Sequence, residues 1–179
     1  MKFWLCIIRD AGFFRAKFYS EVSQPSCLQL VSCFFLNPEF RLVFWFRVYS
    51  SLYKGRLKCL GLFLYQVIKR KYSSDIHPLA TIGVPFKVGH HMNIVIGPKV
   101  VIGNGVYLFN GVTLGNKNVG EDDAMPEVGD EVILGTGAKI LGPVKVGSRS
   151  IVGANSLIIT DVGCDEKWGG VPAKKIGGR

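Results

Sequence analysis

Three histidines, His77, His90 and His91, are the side chains whose charge changes nearest neutral pH. A neutral imidazole beside a hydroxyl can take its proton and turn a poor nucleophile into a working one. His90 and His91 are adjacent, so on a strand they face opposite sides, and their position alone does not choose between them. His77 stands before Pro78 at the entry to a repeat and reads as a structural turn residue. Three histidines also raise the question of zinc. Adjacent strand residues do not readily converge on one ion, and no cysteine or carboxylate cluster completes a tetrahedral set, so no metal is expected. Five cysteines, Cys6, Cys27, Cys33, Cys59 and Cys164, sit at unrelated spacings without a CxxC pair. They read as thiols of a reducing cytoplasm rather than as a disulfide framework or a nucleophile.

The histidines must be held by something, and a repeat supplies it. From Ile76 an aliphatic residue recurs every six positions, at Ile76, Ile82, Val88 and Ile94. The phase then slips by two, and the run continues at Ile96, Ile102, Leu108 and Leu114, then at Val128, Leu134, Ile140, Val146, Val152 and Ile158. Glycine often follows at once, as at Gly83, Gly103, Gly135 and Gly153. A six-residue period is one short strand and a turn, and three such units make a triangular coil. Coils stacked at strand spacing bury the aliphatic residues in a continuous core. Helical periodicity is 3.6 and would not tolerate glycine at this density. The expected fold is mainly β: a single-stranded left-handed parallel β-helix of hexapeptide repeats, with glycine at corners that need unusual backbone angles. Between Leu114 and Val128 lie 14 residues instead of 12, and residues 116–127 are read as a loop leaving the coil.

The chain divides near Ser73-Ser74. Residues 1–74 hold 12 Lys/Arg against 3 Asp/Glu and 17 of the 21 aromatics, whereas residues 75–179 hold 10 of each charge and 19 of the 22 glycines. The first part reads as helices: one capped by Ser26, one opened by Asn37-Pro38 and stopped at Lys54-Gly55, and one from about Arg56 to Lys71. Their broad apolar stripe must bury against each other, the β-helix, another subunit or an anionic membrane surface. No stretch approaches 18 uncharged apolar residues, and the first apolar run is broken by Arg9 and Asp10, too early for a signal-peptide core. A cytoplasmic protein is expected, with peripheral contact at the inner membrane face as an open destination. No motif supports nucleic acid as a partner.

The hexads, opened by Asp75-Ile76-His77-Pro78 and closed by Gly170-Val171-Pro172-Ala173-Lys174, resemble the serine acetyltransferase family of hexapeptide acyltransferases. Ile94-Val95-Ile96-Gly97, Val112-Thr113-Leu114-Gly115 and Gly137-Ala138-Lys139-Ile140-Leu141-Gly142 carry the resemblance further, which spans about Pro38 to Gly178. The resemblance implies an enzyme using acetyl-CoA as co-substrate and assembling as a homotrimer, with a hexamer open. It implies His90 as catalytic base and Asp75, fifteen residues earlier, as its orienting carboxylate. Gly115, Thr136 and Ala154 would lie along the CoA arm, and Lys174 and Lys175 would meet its phosphates. Serine enzymes of the family carry charge at three positions that are Gly89, Ala124 and Met125 here. The pattern is thus closer to the small acetyltransferases of capsule, colanic-acid and exopolysaccharide pathways. A sugar hydroxyl is the expected acceptor, held by Asn93, Asn110 and the Glu121-Asp122-Asp123 run with Met125 as an apolar wall, and serine is the alternative. A non-catalytic β-helix scaffold is the third reading, against which the Asp75 and His90 pair stands.

Overall fold

The computed structural model describes residues 3–16, 23–118 and 125–178. Four helices come first: α1 (Phe3–Arg15), α2 (Cys27–Leu36), α3 (Pro38–Lys54) and α4 (Lys58–Tyr72). Fifteen short strands follow: β1 (Asp75–Ile76), β2 (Thr81–Ile82), β3 (Phe86–Gly89), β4 (Val95–Ile96), β5 (Val101–Ile102), β6 (Val106–Phe109), β7 (Thr113–Gly115), β8 (Glu127–Val128), β9 (Ile133–Leu134), β10 (Lys139–Leu141), β11 (Lys145–Val146), β12 (Ile151–Val152), β13 (Leu157–Ile158), β14 (Glu166–Gly170) and β15 (Ala173–Gly178). Every third strand pairs in parallel, giving three sheets ordered β1-β4-β7-β10-β13, β2-β5-β8-β11 and β3-β6-β9-β12-β14, the last extended by antiparallel β15. This is a parallel β-helix preceded by a small helical region, with one side of its triangular section per sheet. The aliphatic residue of each hexad points inward: Ile76, Ile96, Leu114, Ile140 and Ile158 form one buried column, and Val88, Leu108, Leu134 and Val152 another.

The glycines after the core residues have a different reason from the expected one. Left-handed backbone falls elsewhere, at Gly105, Gly111 and Gly137 and on non-glycine corners such as His90, Asn93, Glu131 and Arg149. Gly83 and Gly135 are instead required by the closeness of the next coil. A Cβ on Gly83 would come 2.4 Å from the Gly103 carbonyl oxygen, and one on Gly135 would come 2.7 Å from the Ala154 nitrogen.

Register also corrects the loop. Ile96 to Ile102 is one step between neighbouring sheets and takes six residues, whereas the same step from Leu114 to Val128 takes fourteen. The excursion therefore adds eight residues, not two. A second, smaller insertion lies at the corner between β3 and β4. Leu108 to Leu114 takes six residues, but Val88 to Ile96 takes eight, and the surplus is the His90–Asn93 turn.

The helical region closes one end of the β-helix. The first coil leaves a row of carbonyls without a partner coil, the edge that open sheets must cover. α3 supplies donors along its length. Arg47 donates to the carbonyls of Ile82 and Gly83 (both 2.6 Å), Ser50 to Pro78 (2.8 Å), Tyr49 to Ile76 (2.7 Å) and Lys54 to Ala80 (3.0 Å). Leu42, Val43, Phe46, Tyr65, Ile68 and Tyr72 join the same core as the β-helix aliphatics. Asp10, which interrupts an apolar run in the sequence, is fully buried against Arg47 (3.0 Å) and accepts from the Phe86 N–H (2.9 Å). Ser26 and Gln29 form a capping box on α2, while Asn37 makes no side-chain cap on α3. No single helix among the described residues is long and apolar enough to cross a membrane. α2 and α3 pass that test only as a pair bent by 102°. α1, α2 and α3 leave an open apolar groove lined by Trp4, Leu30, Phe34, Phe35 and Phe44.

Candidate active site

The wider corner positions the histidines. β3 ends at Gly89, and His90 follows it with φ 60 and an exposed side chain. Left-handed backbone is uncommon outside glycine, with Asn, Asp and His the usual exceptions, and strained positions cluster at functional sites. His91 turns the other way. Its ring meets Tyr72 edge-on with centroids 5.3 Å apart, and its Nδ1 lies 3.2 Å from a Glu39 carboxylate oxygen at the start of α3. His77 keeps to its turn, its Nδ1 accepting the Leu79 N–H at 3.1 Å. Burial holds its pKa below the ordinary histidine value.

Asp75 opens β1, where it pairs in register with Val95. Its carboxylate accepts from the Tyr65 hydroxyl and the Lys69 ammonium, not from His90. No hydrogen bond between Asp75 and His90 is present in this structure, where the Lys69 ammonium on α4 holds the carboxylate. Burial, with the hydrogen bond to Asp75 next, pushes the Tyr65 phenol well above its usual range. Asp75 and Asn93 line one cleft together with Lys69, Ser74 and Val95.

Three of the sequence-derived positions stand in a column: Asn110, Thr136 and Ala154 each lie two residues past an aligned core residue, Leu108, Leu134 and Val152. Met92 continues the column in the first coil, since the Gly111 N–H donates to its carbonyl as the Gly137 N–H does to that of Asn110, and His90 belongs to the surplus of its corner. From Asn110 to Ala154 the column crosses two coil steps, roughly 10 Å at strand spacing. Thr136 donates to the Asn110 side-chain oxygen at 3.2 Å, and the Asn155 N–H to the Thr136 carbonyl at 2.7 Å. Gly115 and Met125 lie apart from this column: Gly115 ends β7, the middle strand of the sheet that begins with β1, and Met125 precedes β8. A Cβ on Gly115 would meet nothing within 4 Å, while Met125 packs its sulfur over Gly97. Lys174 and Lys175 are on β15. Lys175 is held by Glu166 at 2.6 Å, so it is engaged rather than awaiting a phosphate, and Lys174 is exposed opposite Gly169. Ala124 and the Glu121-Asp122-Asp123 run lie outside the described residues. Among the described residues no three His, Cys, Asp or Glu side chains gather to hold a metal ion.

Sequence reasoning missed Glu39 and Tyr107. Tyr107, on β6, fills the space beside Gly89: a Cβ on Gly89 would come 2.6 Å from the Tyr107 hydroxyl oxygen. Its ring stacks on Phe109 at 4.6 Å and lies 5.1 Å from the Lys87 ammonium. Burial, and then the negative charge of Glu39, push its phenol upward. The available signal was the six-residue period itself, which sets Tyr107 beside Lys87 on the outward face of one sheet.

Residues 125–160 match the family of bacterial transferase hexapeptide (six repeats). A serine acetyltransferase of Arabidopsis thaliana is 36% identical over 153 residues, 86% of this chain and 43% of that protein. The serine acetyltransferase of Mycobacterium tuberculosis is 32% identical over 166 residues, 93% of this chain and 71% of its own length. The chain thus spans less than half of the plant relative. Among solved structures, soybean serine acetyltransferase complexed with serine superposes with a TM-score of 0.84 at 33% identity, covering 97% of this chain and 69% of that one. The Brucella abortus enzyme in complex with coenzyme A gives 0.82 at 28%, covering 96% and 66%. These relatives overturn the expected sugar acceptor and the likeness to polysaccharide enzymes. The sugar expectation rested on the lack of charge at Gly89, Ala124 and Met125, and α3 brings the Glu39 carboxylate to His91 beside the first of them. The fold, the hexads and the relatives together place this chain in the serine acetyltransferase family of hexapeptide-repeat acyltransferases.

Proposed function

We propose that the chain transfers the acetyl group of acetyl-CoA to the hydroxyl of L-serine, with His90 as general base. The observation that carries this reading is the likeness, across nearly the whole chain, to serine acetyltransferases, one solved with serine and another with coenzyme A. His90 takes the proton of the serine hydroxyl as the oxygen attacks the thioester carbonyl. The tetrahedral oxyanion is stabilised by N–H donors. It collapses by breaking the C–S bond, and the imidazolium returns the proton to the departing thiolate. The products are O-acetylserine and CoA, and no acyl-enzyme forms. Asp75 orients His90 in this proposal: the imidazolium carries the charge that can draw its carboxylate from Lys69.

Gly115, Thr136, Ala154 and Lys174 are assigned to the CoA side, Lys175 more weakly because Glu166 holds it, and Asn93, Asn110 and Met125 to the acceptor side. Homotrimeric assembly belongs to the same reading. The positive charge of residues 1–74 and the open groove of α1, α2 and α3 favour an anionic surface as a further contact. Release of CoA thiol from acetyl-CoA tests the function: L-serine should accelerate it. His90→Ala should lower kcat by roughly 10²- to 10⁴-fold, the usual share of a general base, at an unchanged KM for acetyl-CoA. No acceleration by serine, or a His90→Ala variant with near-normal turnover, rejects the proposal.

A further inference from the structure

We propose that Glu39, from the helical region, is the counter-charge that holds the ammonium group of the acceptor. This rests on the serine reading above. Serine is a zwitterion, and its ammonium needs an anion near the base that activates its hydroxyl. The residue before His90 is Gly89 and offers none. The side-chain space at that position is taken by the Tyr107 hydroxyl, 2.6 Å from where a Cβ would stand. A carboxylate therefore has to arrive from another element.

Two described carboxylates lie beside the His90–Asn93 turn. Asp75 is already matched by the Lys69 ammonium. Among the described residues Glu39 is matched only by the His91 imidazole, at 3.2 Å, with both side chains about one-fifth exposed (20% and 24%). Of the described cations, Lys87 and Arg41 are engaged elsewhere. Lys87 donates to the Ala16 carbonyl (2.9 Å) and lies over the Phe13 and Tyr107 rings, and Arg41 donates to the Phe34 carbonyl (3.0 Å). A carboxylate offers about four acceptor positions, so holding His91 leaves capacity for an ammonium. The charge of Glu39 reaches the Tyr107 phenol, which in turn touches position 89. Glu39 meets His91 and Tyr107 meets position 89, so both stand at the corner that carries the base.

The test compares L-serine with 3-hydroxypropanoate, which is serine without its ammonium, in the full chain. The wild type should prefer serine, and Glu39→Gln should raise the serine KM roughly tenfold to a hundredfold, the weight of one charged hydrogen bond. It should leave the KM for acetyl-CoA in place and lose the preference for serine over the deaminated acceptor. Glu39→Asp keeps the charge one methylene shorter and should retain a preference that Glu39→Gln loses. A merely structural bracing of His91 would depress both acceptors alike and leave their ratio unchanged. That result, or equal loss of preference in Glu39→Asp and Glu39→Gln, overturns the assignment. If Glu39→Gln does not fold, the wild type still decides: turnover of 3-hydroxypropanoate at the same KM as serine overturns it as well. A wild type inactive on serine instead overturns the function itself.

Discussion

Arg47 is the residue on which the helical region and the β-helix both depend. Its guanidinium binds the Asp10 carboxylate through Nε (3.0 Å) and one terminal nitrogen (3.4 Å), and reaches the carbonyls of Ile82 and Gly83 at 2.6 Å each. The Arg47 side chain is 10% exposed and that of Asp10 0%. Arg47→Met keeps most of the apolar stem but strands a buried carboxylate with only the Phe86 N–H, and leaves two carbonyls without donors. Breaking a buried ion pair from one side costs about 3–5 kcal/mol. The expected loss is at the upper end of that range because the carbonyls add to it. For a chain of this size the loss corresponds to roughly 10–15 °C in Tm. Asp10→Asn/Arg47→Met should lose less than the sum of its single variants, since no buried charge then remains unpaired. Urea unfolding followed by circular dichroism, at one fixed protein concentration, gives these values. A loss for Arg47→Met below about 1 kcal/mol would show that water reaches Asp10 and that the clamp is not what joins the two regions.

Two further outcomes follow from the same structure. Gly135→Ala drives a methyl to 2.7 Å from the Ala154 backbone and should destabilise by about 1–3 kcal/mol as overpacking. Gly177→Ala, whose Cβ would meet nothing within 4 Å, should be close to neutral, and thermal unfolding of the pair compares them directly. Glu166 is held down to about 2 by Lys175 first, then by the Trp168 and Gly163 N–H donors. A carboxyl depressed in the folded state stabilises above its unfolded pKa and loses that contribution as pH falls through the folded one. Trp168 fluorescence should therefore change between about pH 4.5 and 2 as the β14–β15 hairpin loosens, and Glu166→Gln should abolish that transition.

The β-helix was legible in the sequence because each hexad reports its own orientation: one inward aliphatic per strand, repeated until no other period fits. Ile76 through Ile158 needed no partner to be assigned to the core, and the resemblance of the hexads named the family. α2 and its Ser26 cap were likewise local, as was the stop of α3 at Gly55. What a linear reading misjudged was whatever depends on the neighbouring coil. The glycines after the core residues turned out to answer to backbone 2.4–2.7 Å away rather than to their own dihedrals. The length of the loop after Leu114 was clear only once Val128 was seen to be a single step on. Asp10 read as an interruption of an apolar run, and the tertiary structure made it the buried partner of a residue 37 positions later. Charge at Gly89 is a property of one position, whereas Glu39 and Tyr107, 50 and 18 residues away in the chain, reach that corner only through the fold. Periodicity encodes which face of a strand is inside, so sequence alone determined the coil and its core. Fields and close approaches act through space, so the pairing of Glu39 with His91 was decided only when α3 folded against β3.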